Sequence, residues 1–197
     1  MYELICIGAS WGGLQAIGRV LSDLSDELDQ PIVIAQHRHP DSLEGTFAQL
    51  LQAQTGRVVQ DAEDKLPIEP RHVYVAPPNY HLLVERGSLA LSVDEQVQHA
   101  RPSIDVLFES AAHAYAEAVI GIILTGANED GSQGLAEIKR RGGVAVIQDP
   151  AGAVRRAMPE AAIAATAADA VLPLEEIGNF VYGLCVPPAP VRARTEA

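Results

Sequence analysis

The sequence predicts an α/β fold, a three-layer doubly wound and mostly parallel sheet with an inserted β-hairpin. Short apolar runs alternate with helical patterns along the whole chain. Most of those runs are continuous, as expected for parallel strands buried on both faces. One pair of runs flanks only Arg86-Gly87-Ser88, which reads as a hairpin with glycine at its turn. Strand–helix alternation with right-handed crossovers gives an open sandwich of layers.

The first run is Leu4–Gly8. Over Gly13–Leu24, the residues Leu14, Ile17, Val20, Leu21 and Leu24 repeat at helical spacing and form a stripe for packing on a sheet. Pro31–Gln36 is the second run, and a helix over Ser42–Gln54 follows, with Asp41 as its expected N-cap. Val58–Asp61 and His72–Ala76 are further strands, and His81–Glu85 with Leu89–Val93 make the hairpin. Asp94–Arg101 reads as a loop. Helices are then expected over Pro102–Glu117, Gly131–Arg141, Pro159–Ala168 and Leu174–Gly183, interleaved with runs at Gly121–Thr125, Val144–Gln148 and Ala170–Leu174. Residues 1–186 form one expected domain, and 187–197, rich in Pro and charge, an expected mobile tail.

Composition narrows the partners. With 48% apolar residues in 197, the chain buries a core large enough to need no disulfide or metal. A net charge of −12 disfavours nucleic-acid phosphates and anionic membranes. Cys6 sits in an apolar run as a small core residue, and two cysteines make no disulfide framework, which suits a reducing cytosol. The N-terminus lacks the basic stretch and apolar core of a signal peptide. No window approaches the roughly 20 apolar residues of a membrane helix.

Ligands of an open parallel sheet bind beyond the carboxyl ends of its strands. The first strand runs into Gly8-Ala9-Ser10-Trp11-Gly12-Gly13, the second into Gln36-His37-Arg38-His39. Two later ones end at Thr125–Gly131 and at Gln148-Asp149-Pro150. Serine, histidine and aspartate therefore share one edge, and these are the parts of an activated hydroxyl nucleophile. Ser10 lies in Gly-x-Ser-x-Gly between a strand and a helix, where small neighbours permit a sharp turn and free N–H groups face a developing oxyanion. The bland alternative makes Ser10 a simple helix cap. A dinucleotide loop would need an acidic residue after the second strand, where Gln36 and His37 stand. A zinc reading uses His37, His39 and Asp41, in the His-x-His-x-Asp pattern of metallo-β-lactamase-like hydrolases. Ser42 replaces the next histidine of that pattern, and the strand–helix alternation opposes its antiparallel fold. His113 reads as structural, and His72 starts a strand at the opposite edge. His81 and His99 read as solvated loop residues, and one of Glu129 and Asp130 is expected to face solvent.

These residues resemble the catalytic domain of chemotaxis receptor protein-glutamate methylesterases of the CheB type. The resemblance runs from about Leu4 to Leu174. It rests on Ile7-Gly8-Ala9-Ser10-x-Gly12-Gly13, Gln36-His37, Val75-Ala76-Pro77, Arg101-Pro102-Ser103-Ile104-Asp105, Leu124-Thr125-Gly126, Asp130-Gly131 and Met158-Pro159. It implies Ser10 as nucleophile, His37 as general base and Asp130 as the acid that orients it, preferring His37 over His39 and Asp130 over Asp149. Trp11, Gly12 and Ala127 are the oxyanion and substrate candidates. The implied reaction is hydrolysis of glutamate γ-methyl esters on receptor helices in the cytoplasm, with glutamine deamidation in some relatives. It needs no metal or organic cofactor. Activity is then expected to fall below roughly pH 6–7 as histidine takes up its proton. The family commonly carries a phosphoacceptor receiver domain. This chain begins at the first catalytic-domain strand, so a phosphodonor is expected to leave its rate unchanged. Trp11 stands where a small residue is usual, and Ala127-Asn128 replace Met-Gly, which bears on substrate choice and rate. A non-catalytic adaptor that binds receptor helices is the alternative function.

Overall fold

The computed structural model describes residues 2–24 and 28–186. In chain order the strands are β1 (Leu4–Ala9), β2 (Ile32–Gln36), β3 (Val58–Asp61), β4 (His72–Val75), β5 (His81–Glu85), β6 (Ser88–Ser92), β7 (Val119–Ile123), β8 (Val144–Gln148) and β9 (Ala170–Leu172). The helices are α1 (Gly13–Asp23), α2 (Thr46–Gln52), α3 (Ile104–Tyr115), α4 (Ser132–Arg140), α5 (Ala157–Ala165) and α6 (Leu174–Cys185). Seven strands make one parallel sheet in the order β3-β4-β2-β1-β7-β8-β9. The antiparallel pair β5-β6 stands apart as its own small sheet and packs on α3.

The continuous apolar runs have a direct cause in this layering. Every residue of β1, β2, β7 and β8 is buried. Successive side chains of a strand point to opposite faces. Ile5, Ile7 and Ala9 of β1 therefore join a core with α1, α2 and α6, while Leu4 and Cys6 join a second core with α3, α4, α5 and the hairpin. Cys6 behaves as the core residue expected, and burial pushes its thiol pKa far up.

Three expectations need correction. The second helix starts at Thr46 rather than Ser42, and Asp41 does not cap it; the cap is Gly45. With φ of 75°, Gly45 takes a left-handed conformation that favours glycine. Its N–H donates to Asp61 Oδ2 (2.5 Å). β7 ends at Ile123 instead of Thr125. The Thr125 N–H is taken by the Gln148 side chain (2.9 Å), which turns the chain out of the sheet towards the site. His81 is not solvated but buried. The tail at 187–197 lies outside the described residues.

Candidate active site

β1 and β7 are neighbours whose chains leave the sheet in opposite directions, β1 into α1 on one face and β7 towards α4 on the other. That arrangement opens a crevice at the carboxyl ends of the strands. Ser10 follows β1 there, His37 follows β2, and Asp130 lies between β7 and α4.

The three side chains form a relay. His37 Nδ1 lies 3.2 Å from Ser10 Oγ, and His37 Nε2 lies 2.7 Å from Asp130 Oδ2. An ionised carboxylate only accepts, so Nε2 carries the proton and Nδ1 turns its lone pair to the serine hydroxyl. Asp130 is fully buried, His37 nearly so, and Ser10 is half-buried at the floor of a cleft.

Asp130 is charged for a structural reason. Burial alone would raise its pKa. The hydrogen bond from His37 and the N–H groups of Ile104 (2.7 Å) and Asp105 (3.0 Å) outweigh burial and hold the carboxyl below its usual range. Ser103 caps α3 and adds its hydroxyl to Asp130 Oδ1 (2.8 Å). The catalytic-acid candidate is thus also an anion at a helix N-terminus. The favour is returned across the helix pair. Asp105, in the first turn of α3, accepts the Gly134 N–H of α4 (2.7 Å) and a bond from Gln98 Nε2 (2.8 Å).

Burial pushes the Asp105 pKa up to about 6 against the Gly134 N–H, with the Asp130 and Glu109 charges adding to the rise. A folded-state pKa above the unfolded value means the native protein binds the extra proton between about pH 4 and 6. Stability contributed by protonated Asp105 is then complete below that window and lost as pH rises through it, with a slope of at most about 1.4 kcal/mol per pH unit. The expected outcome is that Asp105→Asn flattens this part of the profile. Urea midpoints at pH 4.5 and pH 7 check it; parallel profiles for variant and wild type would show that Asp105 titrates normally.

Other groups fix the loop that carries Ser10. Gln36 Nε2 donates to the carbonyls of Ser10 (2.7 Å) and His37 (3.0 Å). Gly13 makes room for it, since a Cβ there would run into Gln36 Oε1 and come within 2.8 Å of Ala9 Cβ. The Ser10 N–H donates to the Thr125 carbonyl (2.9 Å). Among the described residues, no protein acceptor takes the N–H groups of Trp11, Gly12 or Ala127.

The remaining sequence candidates are placed elsewhere. His39 and Asp41 are exposed, 3.6 Å apart, and do not converge with His37, whose two ring nitrogens are already engaged. Among the described residues no group of three metal-ligating side chains gathers. His72 begins the strand β4, and His113 turns to the Glu109 carbonyl (2.7 Å) on the outside of α3. His99 is exposed on the wall of the cleft, and Glu129 is exposed beside the buried Asp130. A second serine–histidine pair, Ser103 and His81, also lies near Asp130. It is the Ser103 N–H, not the hydroxyl, that meets His81 Nδ1 (3.2 Å), and His81 Nε2 donates to the Glu95 carbonyl (2.9 Å). Ser103 is wholly buried, so this pair is a scaffold and no substrate carbonyl reaches it. Sequence reasoning assigned no role to Gln36, Ser103, Asp105 or Thr125. Each lies in a stretch that carried the resemblance, which was the signal available.

Comparison with known proteins agrees with this geometry. The family model described as CheB methylesterase matches residues 5–181. A Caulobacter vibrioides protein named protein-glutamate methylesterase/protein-glutamine glutaminase 2 is 38% identical over 184 residues, covering 91% of this chain and 53% of its own length. A Leptospira interrogans relative, named for the same pair of activities, is 48% identical over 184 residues, covering 93% of this chain and 95% of its own. The crystal structure of the Thermotoga maritima CheB methylesterase catalytic domain superposes with a TM-score of 0.87 at 30% identity, covering 93% of this chain and 99% of that one. The parallel sheet, the loops at its carboxyl edge and these matches along nearly all the described chain lead to one assignment: the protein belongs to the CheB methylesterase family.

Proposed function

We propose that the chain is a serine hydrolase that removes γ-methyl esters from glutamate residues on the cytoplasmic helices of chemotaxis receptors. The observation that carries this is the Ser10–His37–Asp130 relay, open to a cleft on the Ser10 side and closed to water at Asp130. In the first half-reaction Ser10 Oγ attacks the ester carbonyl while His37 Nδ1 takes its proton. Asp130 stabilises the imidazolium through Nε2. The N–H groups of Trp11, Gly12 and Ala127 are the candidates to receive the oxyanion. The proton then passes to the leaving oxygen, methanol departs, and a water activated by the same histidine cleaves the acyl-serine to give the carboxylate. A glutamine amide follows the same steps with ammonia leaving, which fits the paired activities in the relatives' names.

The test is methanol release from a helical peptide carrying a glutamate γ-methyl ester, read together with the loss of the methyl mass. Hydrolysis with covalent labelling of Ser10 by a fluorophosphonate is the expected result. Tight binding of the peptide without hydrolysis would establish the adaptor reading instead. No helix among the described residues is long and apolar enough to cross a membrane.

A further inference from the structure

A cation stands beside Trp11, a residue of the cleft wall, with no opposite charge against it among the described residues. Arg155 lies with its guanidinium carbon 5.6 Å from the centre of the Trp11 ring, and both side chains are exposed. Trp11 follows the nucleophile and lines the cleft with Ser10 and His37. The Thr125 hydroxyl holds both backbones: it donates to the Trp11 carbonyl (2.9 Å) and accepts the Arg155 N–H (2.8 Å). The Arg155 carbonyl in turn accepts the Gly126 N–H (3.1 Å). The pair is therefore fixed to the same strand end whose Thr125 carbonyl anchors the Ser10 N–H.

Charge gives this placement its meaning. The chain has a net charge of −12, yet no carboxylate lies against Arg155 among the described residues. Its neighbour Arg156 is paired with Glu160 (2.7 Å). The arginines that line the cleft are engaged elsewhere: Arg38 turns its guanidinium to the Ala76 carbonyl and over the Phe47 ring, and Arg101 donates to Asn79 Oδ1 (2.7 Å) and to the carbonyls of Val93 (2.7 Å) and Asp94 (2.8 Å). Arg155 is thus left as an exposed cation, steadied on one side by the face of an indole and with its N–H donors free for a planar, two-oxygen acceptor.

We propose that Arg155, laid over Trp11, forms a subsite for a carboxylate of the substrate chain. The ligand is a glutamate or aspartate close to the esterified residue, so that acidic segments are hydrolysed in preference to neutral ones. This rests on the ester-hydrolase reading above and adds a specificity to it.

The experiment uses two helical peptides that share one glutamate γ-methyl ester and differ only in having glutamate or glutamine at the flanking positions. The wild-type chain is expected to favour the glutamate peptide about fivefold in kcat/KM, through KM, as befits an exposed ion pair. The preference should shrink in high salt. Arg155→Gln should remove it, and Arg155→Glu should reverse it towards a lysine-flanked peptide. Equal use of both peptides by the wild type, or a preference that survives Arg155→Gln, overturns the subsite. Binding is read separately, by Trp11 emission in the Ser10→Ala protein titrated with unesterified versions of the peptides. If neither peptide is hydrolysed by the wild type, the ester-hydrolase reading fails. A glutamate-dependent titration lost in Arg155→Gln would still support the subsite, and its absence would sink it independently.

Discussion

Ser10→Ala abolishes ester hydrolysis while leaving the fold intact. The expected fall in kcat is about four orders of magnitude or more, the range seen when the nucleophile of a serine–histidine–aspartate relay is removed. No other hydroxyl replaces it, because the remaining serine near Asp130, Ser103, is wholly buried and donates to that carboxylate. Among the described residues the Ser10 hydroxyl has a single partner, His37 Nδ1 at 3.2 Å, so its loss costs at most about 1 kcal/mol of stability. The measurement is single-turnover hydrolysis beside a thermal melt. A variant that keeps more than a hundredth of the rate would exclude Ser10 as the nucleophile.

Asp130→Asn loses rate and stability together. The carboxylate accepts four hydrogen bonds: Ser103 Oγ and Asp105 N–H on Oδ1, and Ile104 N–H and His37 Nε2 on Oδ2. An asparagine supplies one oxygen and one NH2, so two of these donors face a donor whichever way the amide turns. If the NH2 faces His37, the ring must reverse its tautomer and no longer offers a lone pair to Ser10. The expected drop in kcat is then about ten-thousandfold. If the NH2 faces Ser103 and Asp105, the α3 terminus is left short of acceptors, at about 2–4 kcal/mol. Both losses are expected in some proportion, read by kcat and by the urea midpoint. The neighbouring Glu129→Gln, at an exposed position, should stay within about 0.5 kcal/mol of wild type. A fully stable Asp130→Asn protein would contradict the capping role.

Periodicity sufficed for what repeats. Alternating β1 residues that serve two cores must all be apolar, so Leu4–Gly8 reads directly as a doubly covered strand, which the structure extends by one residue to Ala9. That a serine, a histidine and an aspartate share one edge followed from reading the strands as parallel, with their carboxyl ends together. Bottom-up reading did not separate His37 from His39 or Asp130 from Asp149. That choice depends on which side chain points into the crevice, and only the family resemblance expressed a preference. The sequence pattern starts α3 at Pro102, two residues early, because its cap Ser103 is not read as one. A helix start was illegible where a glycine caps it in a left-handed turn, as Gly45 does for α2. His81 misled because a histidine beside a loop resembles a solvated one. Its burial depends on Glu95 and Ser103 reaching it from later in the chain.

The exchange of carboxylates between α3 and α4 also bears on when the enzyme is armed. His37 and Asp130 are separated by 93 positions, and the aspartate finds its place only against the first turn of α3, while Asp105 of α3 finds its own against α4. A chain still being synthesised carries its serine and histidine long before it carries the aspartate. Until the two helices have docked, nothing holds the imidazole in the tautomer that draws a proton from Ser10. The relay of Ser10, His37 and Asp130 therefore exists only once α3 and α4 have come together, however early its serine and histidine are made.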